Sequence, residues 1–561
     1  MGVDLSTVPR LFGGERISRA LGWAVAYAIL AWCTAASFMA DTVDYVTAVY
    51  LHDQGVNYVF WDFRHLFWRP LGWVLLHLVN PLLSAPARDQ PRITVIYIFL
   101  TLNWLAGLAS LFLLRALLRR FCSQAWAIAF TTVAFLFSLA FLNFLHAGSS
   151  YIPGLMFLLL GLYLVARSVE PEASNYIAYG APLALAVSVC LWFPYAFAVP
   201  GALLLPLFYP GTHARWPLVW RGTIICFLLG TFAYGWVLIH QGIYTPAGIV
   251  HWVGQGASSV AGTRGVSRSV FGFAHSFIDL GKDGVLFKRF LVHDPYNPVS
   301  LRQLLRISLW KLLLFYALLL AIVVRLARSG RTGILAICAL SAGPVLIFAV
   351  LWFGGDIERY LPLYPALFIA FCCAVAEDRR GPTTILAAVF VAAAIGCNSY
   401  ALFRPRLQHE QQLAADRVRN VLPLLKPSSR VVEVDIHDEL VNFSRSFPLN
   451  PINRGAKLLN YPLLNPGTPQ VLHWRQDFSA MVATTWNLHG DVWISERVLA
   501  ARPERGWDWI ENSDPHIKWA ELPAFFSQFD LGAAAGESDG FLLLLPTEKN
   551  LATVDTFKSR K

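Results

Sequence analysis

The residues best suited to chemistry fall in one stretch, DTVDYVTAVYLHDQGVNYVFWDFRHLFWRPLGW at 41–73. It offers Asp41, Asp44, Asp53 and Asp62, then Arg64, His65 and Arg69, among many aromatic rings. If 41–53 is helical, Asp41 lies three residues before Asp44 and four before Tyr45, so two carboxylates share an edge. Such a pair either repels, raising one proton affinity until it acts as a base near neutral pH, or holds a divalent cation such as Mg²⁺ or Mn²⁺. An Asp directly before a helix also suits an N-terminal cap, so both readings of Asp41 stand. Further along, Asp356, Glu358, Arg359 and Tyr360 form a second charged group, and His146 stands alone.

The elements that position these residues cross a membrane. Of 561 residues 56% are hydrophobic and 14% charged, more apolar surface than one soluble core could hide. A helix needs roughly 20 apolar residues to cross about 30 Å of hydrocarbon, where each unsatisfied peptide group costs several kcal/mol. Apolar runs near 17–40, 93–114, 124–142, 151–167, 177–192, 195–209, 222–240, 307–325, 332–352, 360–376 and 383–403 therefore read as about eleven spans. Arg16 and Arg19 before the first run and Ala40 after it also fit a cleaved signal peptide, but the run is long and Phe38 suits such a site poorly.

Arg10, Arg16 and Arg19 place the N-terminus in the cytoplasm. The basic loops at Arg115–Arg119–Arg120, Arg167, Arg215–Arg221, Arg325–Arg328–Arg331 and Arg379–Arg380 then all face the cytoplasm, provided that 66–83 does not cross. That segment is expected to lie in the outer interface, where Trp61, Trp68 and Trp73 would be at home. The candidate residues then collect at the outer ends of the spans. A charge at mid-bilayer costs about 2.5 to 3.5 kcal/mol, and the spans are nearly free of ion-coupling residues.

The formal charge of +10 is spread largely over cytoplasmic loops, so orientation explains it without nucleic acid. Of eight cysteines only Cys122 lies in a loop, and the outer segments suggest no disulfide framework. The Gly/Ser stretch at 254–269 lacks the ending of a nucleotide-binding P-loop; Arg264 and Arg268 could gate a phosphate there, but a flexible linker is the simpler reading. His437, Asp438 and Glu439 are neighbours in sequence and read as solvated surface rather than a metal triplet. The membrane region is taken as 1–403, with a first outer loop at 41–92 and a long outer loop at 241–306. A soluble extracytoplasmic domain follows at 404–561, with strand candidates at 430–436, 491–495 and 540–546 and a helix-like stretch at 408–426.

The order of these pieces resembles the GT-C glycosyltransferases, specifically the branch with protein O-mannosyltransferases and lipid A aminoarabinose transferases. That family has a D-E-x-x-Y-like motif in its first outer loop and a K-P-P-L-like motif in juxtamembrane helices. This chain has Asp41-Thr42-Val43-Asp44-Tyr45, then Arg69-Pro70-Leu71, and Glu358-Arg359-Tyr360-Leu361-Pro362 before a late span. Thr42 stands where the family often has Glu, and only one proline follows Arg69. The resemblance implies a membrane all-α GT-C-like bundle with juxtamembrane helices and a small C-terminal α/β domain.

It implies further that a sugar moves from a polyprenyl-phosphate-linked donor to a glycan, lipid or protein hydroxyl on the outer face of a bacterial inner membrane. Asp41 would be the base, with Asp44 and Asp62 as further acids of the catalytic group. Arg69 and Arg359 would hold the donor phosphate, because guanidinium pairs phosphate oxygens through two parallel hydrogen bonds. His65 and His146 are further phosphate contacts, and Tyr45, Glu358 and Tyr360 substrate contacts. No cofactor is required beyond a possible divalent cation. Two rival readings are a transporter or flippase of lipid-linked sugars, and a membrane anchor for a C-terminal binding module.

Overall fold

The computed structural model describes residues 17–37, 39, 41–56, 59–170, 175–208, 216–254, 265–281, 285–293, 298–352, 354–409, 418, 421–434, 460–464, 472–502, 518–532 and 540–559. The chain forms two compact units, Met1–Gly284 with Arg306–Arg404, and Val285–Leu305 with Pro405–Lys561. Part of the long loop, Val285–Leu305, thus groups with the C-terminal residues, which composition alone did not indicate.

The first unit is a helical membrane bundle. Seven helices are long and apolar enough to cross: Pro91–Phe121, Tyr151–Ser168, Trp216–His240, Leu301–Arg328, Thr332–Leu351, Ile357–Glu377 and Pro382–Ala401. A broken pair, Ala125–Leu136 and Leu139–Leu145, bends by 59°. Three shorter apolar helices, Ile17–Cys33, Tyr176–Leu191 and Phe193–Phe208, complete the set of expected runs. The bend frees the Phe137 carbonyl, and Asn398 Nδ2 donates to it at 2.6 Å and to the Phe277 carbonyl at 2.8 Å. A side-chain amide thus pays what a broken helix owes inside the bundle.

Segment 66–83 contributes the helix Trp68–Val79, 12 residues long. At about 1.5 Å per residue it is far too short for about 30 Å of hydrocarbon. It packs beside the helix Thr42–Asp53. Trp68, fully buried, stacks on Phe99 with ring centroids 4.7 Å apart and donates to the Gly148 carbonyl. Gly148 has φ +68°, and a Cβ there would come within 3.1 Å of Thr42 Cγ2. The tight turn at 146–150 can therefore dock flat against the start of the Thr42–Asp53 helix, and Thr42 hydrogen-bonds to the Ala147 carbonyl.

Close helix packing continues below. Gly154 leaves room for the Tyr195 ring, which a Cβ would approach to 2.4 Å, and Tyr195 Oη donates to the Tyr151 carbonyl at 2.6 Å. Small residues at such crossings let helices approach where lipid removes the hydrophobic drive. This contact fixes the first turn of Tyr151–Ser168.

The second unit holds a five-stranded sheet in the order β2-β1-β3-β5-β4. Its strands are β1 Arg430–Glu433, β2 Asn460–Pro462, β3 Val492–Ser495, β4 Leu531–Gly532 and β5 Phe541–Leu544. β1 runs parallel to β2 and β3, while β5 runs antiparallel to β3 and β4. The three expected strands are β1, β3 and β5, each a short apolar run; β2 and β4 are too short to signal themselves. Phe478, Phe525 and Phe526 form an edge-to-face cluster that fills the core. Of the helix-like stretch 408–426, residues 408 and 409 belong to a helix that begins at 404, and 410–417 and 419–420 lie outside the described residues.

Candidate functional site

Asp41 begins the Thr42–Asp53 helix, yet its side chain makes no capping hydrogen bond. Instead Oδ2 is met by two phenol groups, Tyr45 Oη and Tyr151 Oη, each at 3.4 Å. Tyr45 also lies 3.0 Å from His65 Nε2, and His65 Nδ1 lies 2.8 Å from Ser150 Oγ. In the direction that lets Tyr45 donate to Asp41, Ser150 donates to Nδ1 and Nε2–H donates to the phenol oxygen. Burial, opposed by the field of Asp62, pushes His65 down to about 3, so the ring is neutral in use. Burial likewise holds the Tyr45 phenol well above its ordinary range, so it stays a donor.

Asp62 takes a different environment. It opens the short turn Phe63–His65 and accepts from the Arg64 backbone N–H at 2.9 Å, a true cap. Its carboxylate pairs with Arg64 Nη2 at 3.3 Å and Arg69 Nη2 at 3.2 Å. Burial works to raise its pKa, but Arg64 and Arg69 outweigh burial and hold it well below the usual carboxylate range. Such a group keeps its charge and orders two guanidiniums. The loop is pinned from outside, because the Trp61 carbonyl accepts from Trp252 Nε1 at 3.0 Å and the Phe63 carbonyl from Tyr234 Oη at 3.2 Å.

Arg69, 5% exposed, also donates to the Val59 carbonyl at 2.5 Å, and its guanidinium lies 5.5 Å from the Tyr45 ring centre. Arg359 comes from far along the chain, in the turn Ile357–Leu363. It pairs with Asp356 at 3.5 Å and lies 5.8 Å from the Trp192 ring centre; Trp192 in turn packs on Tyr151, with centroids 4.6 Å apart. Arg359 and Arg64 lie close enough to feel each other's charge, and Glu358, buried, feels that of Asp41. Each of Arg69 and Arg359 keeps a buried Nε–H with no hydrogen-bond partner among the described residues, a trait that Arg325 shares.

Asp41, Tyr45, Asp62, His65, Arg69, Glu358 and Arg359 therefore gather at one end of the bundle. Two of the other expected residues, His146 and Tyr360, point elsewhere. His146 has both ring nitrogens engaged, Nε2 with Thr34 Oγ1 at 2.9 Å and Nδ1 with the Trp104 indole at 3.3 Å. Tyr360 is fully buried, and its hydroxyl lies against the Ser269 and Gly354 carbonyls at 2.9 and 2.7 Å. Asp44 lies half-buried in the first turn of its helix. Among the described residues no three His, Cys, Asp or Glu side chains gather as metal ligands. Arg264 and 437–439 lie outside the described residues.

Arg64, Ser150, Tyr151 and Trp192 belong to the group as well. Arg64 is named in the charged stretch at 41–73 but is given no role there. Tyr151 and Trp192 carried no such signal, since aromatic rings are common near membrane interfaces.

No protein-family model matches the chain, and no curated protein matches it. Among solved structures the chain is similar to ArnT from Cupriavidus metallidurans bound to undecaprenyl phosphate, with TM-score 0.47 and 12% identity over 94% of this chain and 99% of that one. It is similar also to the same protein in the apo state, with TM-score 0.48 and 11% identity over 96% and 99%. At such identity residue roles do not transfer.

Proposed function

We propose that this protein is an integral membrane glycosyltransferase that moves a sugar from a polyprenyl-phosphate-linked donor to an extracytoplasmic hydroxyl. The observation that carries the reading is that Tyr45 lies against both Asp41 and Arg69, while Tyr151 and Trp192 link Asp41 to Arg359 from far along the chain, at one end of an apolar bundle. The motif order in the sequence supports it independently. Alternating basic loops put this end on the outer face, the periplasm of a bacterial inner membrane.

In the reaction the acceptor hydroxyl attacks the anomeric carbon, and its proton passes to Asp41. The bond from that carbon to the phosphate oxygen breaks, and the electron pair leaves with the polyprenyl phosphate. Arg69 and Arg359 stabilise the charge that develops on the leaving phosphate, and because they are already held by Asp62, Tyr45 and Trp192 they need no reorganisation. Tyr45 and Tyr151 orient one carboxylate oxygen of Asp41. His65 supports this group through Tyr45 rather than touching phosphate. Asp62 acts by holding Arg64 and Arg69.

The test uses purified protein with radiolabelled polyprenyl phosphate sugars, comparing wild type with Asp41→Asn and Arg69→Ala. Transfer by wild type and its loss in Asp41→Asn is the expected result. Transfer retained in Asp41→Asn removes the base, and passage of intact donor across vesicles without transfer replaces the enzyme with a flippase.

A further inference from the structure

The second unit carries an open cleft of about 450 Å³ between the helices Trp474–Asn487, Glu521–Phe526 and Glu548–Ser559. It is lined by Arg475, Glu521, Phe525, Gln528, Thr556 and Phe557, among others. Its size falls within the roughly 300 to 1,000 Å³ of small-molecule sites. Nothing in the membrane unit's chemistry uses these residues.

The polar groups are of both signs and both hydrogen-bonding senses. Arg475 and Glu521 pair at 2.5 Å with side chains 38% and 37% exposed, so the cleft has no net charge from them and an anion would meet the carboxylate. The Arg475 guanidinium lies over the Trp474 ring at 4.7 Å, which holds its plane. Thr553 and Thr556 each donate their hydroxyl proton back to their own helix, at Lys549 and Ala552, and so present acceptor oxygens. Phe557 meets Phe525 with centroids 5.0 Å apart and brings an apolar wall to the same cleft.

Alternating donors and acceptors beside an aromatic wall suit a ligand whose groups both donate and accept, with apolar C–H faces between them. That is a saccharide. We infer that this cleft is a binding site for a neutral oligosaccharide, separate from the transfer site and independent of whether the membrane unit transfers sugar. Arg475 would donate to ring hydroxyls, Glu521 and the threonines would accept, and Phe557 would lie against a sugar face.

The test is saturation-transfer difference NMR on the full chain in lipid nanodiscs, with tetrasaccharides of glucose, mannose, galactose and N-acetylglucosamine as probes. At least one is expected to bind with a Kd no weaker than about 1 mM. Arg475→Ala and, separately, Thr556→Ala are expected to weaken it about tenfold or more. Thr556 is exposed, so its loss leaves the fold intact should Arg475→Ala disturb it. Absence of binding by all four probes overturns the inference, as does binding that both variants leave unchanged.

Discussion

Asp41 and Asp62, at the start and in the middle of segment 41–92, are the same residue type in unlike surroundings. Asp41, half-buried, is met at Oδ2 by two phenol hydroxyls. Asp62, 7% exposed, is capped by a backbone N–H and clamped by two guanidiniums. A carboxylate clamped by two guanidiniums gives up its use as a proton acceptor and gains value as an anchor; the two phenols on Asp41 orient its carboxylate, which Arg64 reaches through its charge. Acid and anchor are thus separated by neighbours and not by residue type.

The largest effect expected from breaking this contrast is in Asp41→Asn, which should lower kcat by about 10²- to 10⁴-fold while leaving the thermal midpoint nearly unchanged. Asp62→Asn should do the reverse in emphasis. It leaves two buried or half-buried guanidiniums without their anion, at a cost of about 3 kcal/mol or more, seen as a lowered midpoint in detergent.

The pH dependence of that loss has a definite sign. Because the folded carboxyl of Asp62 is depressed, its contribution is fully present above an unfolded value of about 4 and fades as pH falls below it. The stability gap between wild type and Asp62→Asn should therefore be flat from about pH 5 to 8 and close in acid. A gap that widens in acid would count against the clamp.

The two histidines sharpen the contrast further. Burial holds His65 and His146 alike down to about 3, so each favours the neutral ring and the unfolded chain binds more protons between about 3 and 6.5. Wild type should lose stability as pH falls through that window, and His65→Gln or His146→Gln should each remove part of the loss. Only His65→Gln should also slow transfer, because only His65 touches Tyr45. Tyr151→Phe removes one donor from Asp41 and should cost about fivefold in kcat/KM, the worth of roughly one hydrogen bond. EDTA should have the smallest effect, since guanidinium groups supply the positive charge at the leaving phosphate.

Much of this was legible beforehand, for local reasons. The helices fall on the apolar runs because the cost of an unpaired peptide group in hydrocarbon is met within each run. Arg69-Pro70-Leu71 and the charged stretch around it marked one end of the spans because charges are costly within hydrocarbon. The break at Ser138 was not legible, since it depends on Asn398, far along the chain. The grouping of Val285–Leu305 with the C-terminal residues was hidden for the same reason.

Run length, basic-loop alternation and strand-like patches by themselves determined a polytopic bundle with a small α/β unit after it. What only the tertiary structure decided was the division of labour among chemically identical side chains. Which aspartate two phenols orient and which two guanidiniums clamp, and whether a histidine faces Tyr45 or Trp104, was decided by the folded neighbours of each. Ionisation and orientation answer to the nearest charges and donors in space, and no local pattern records those.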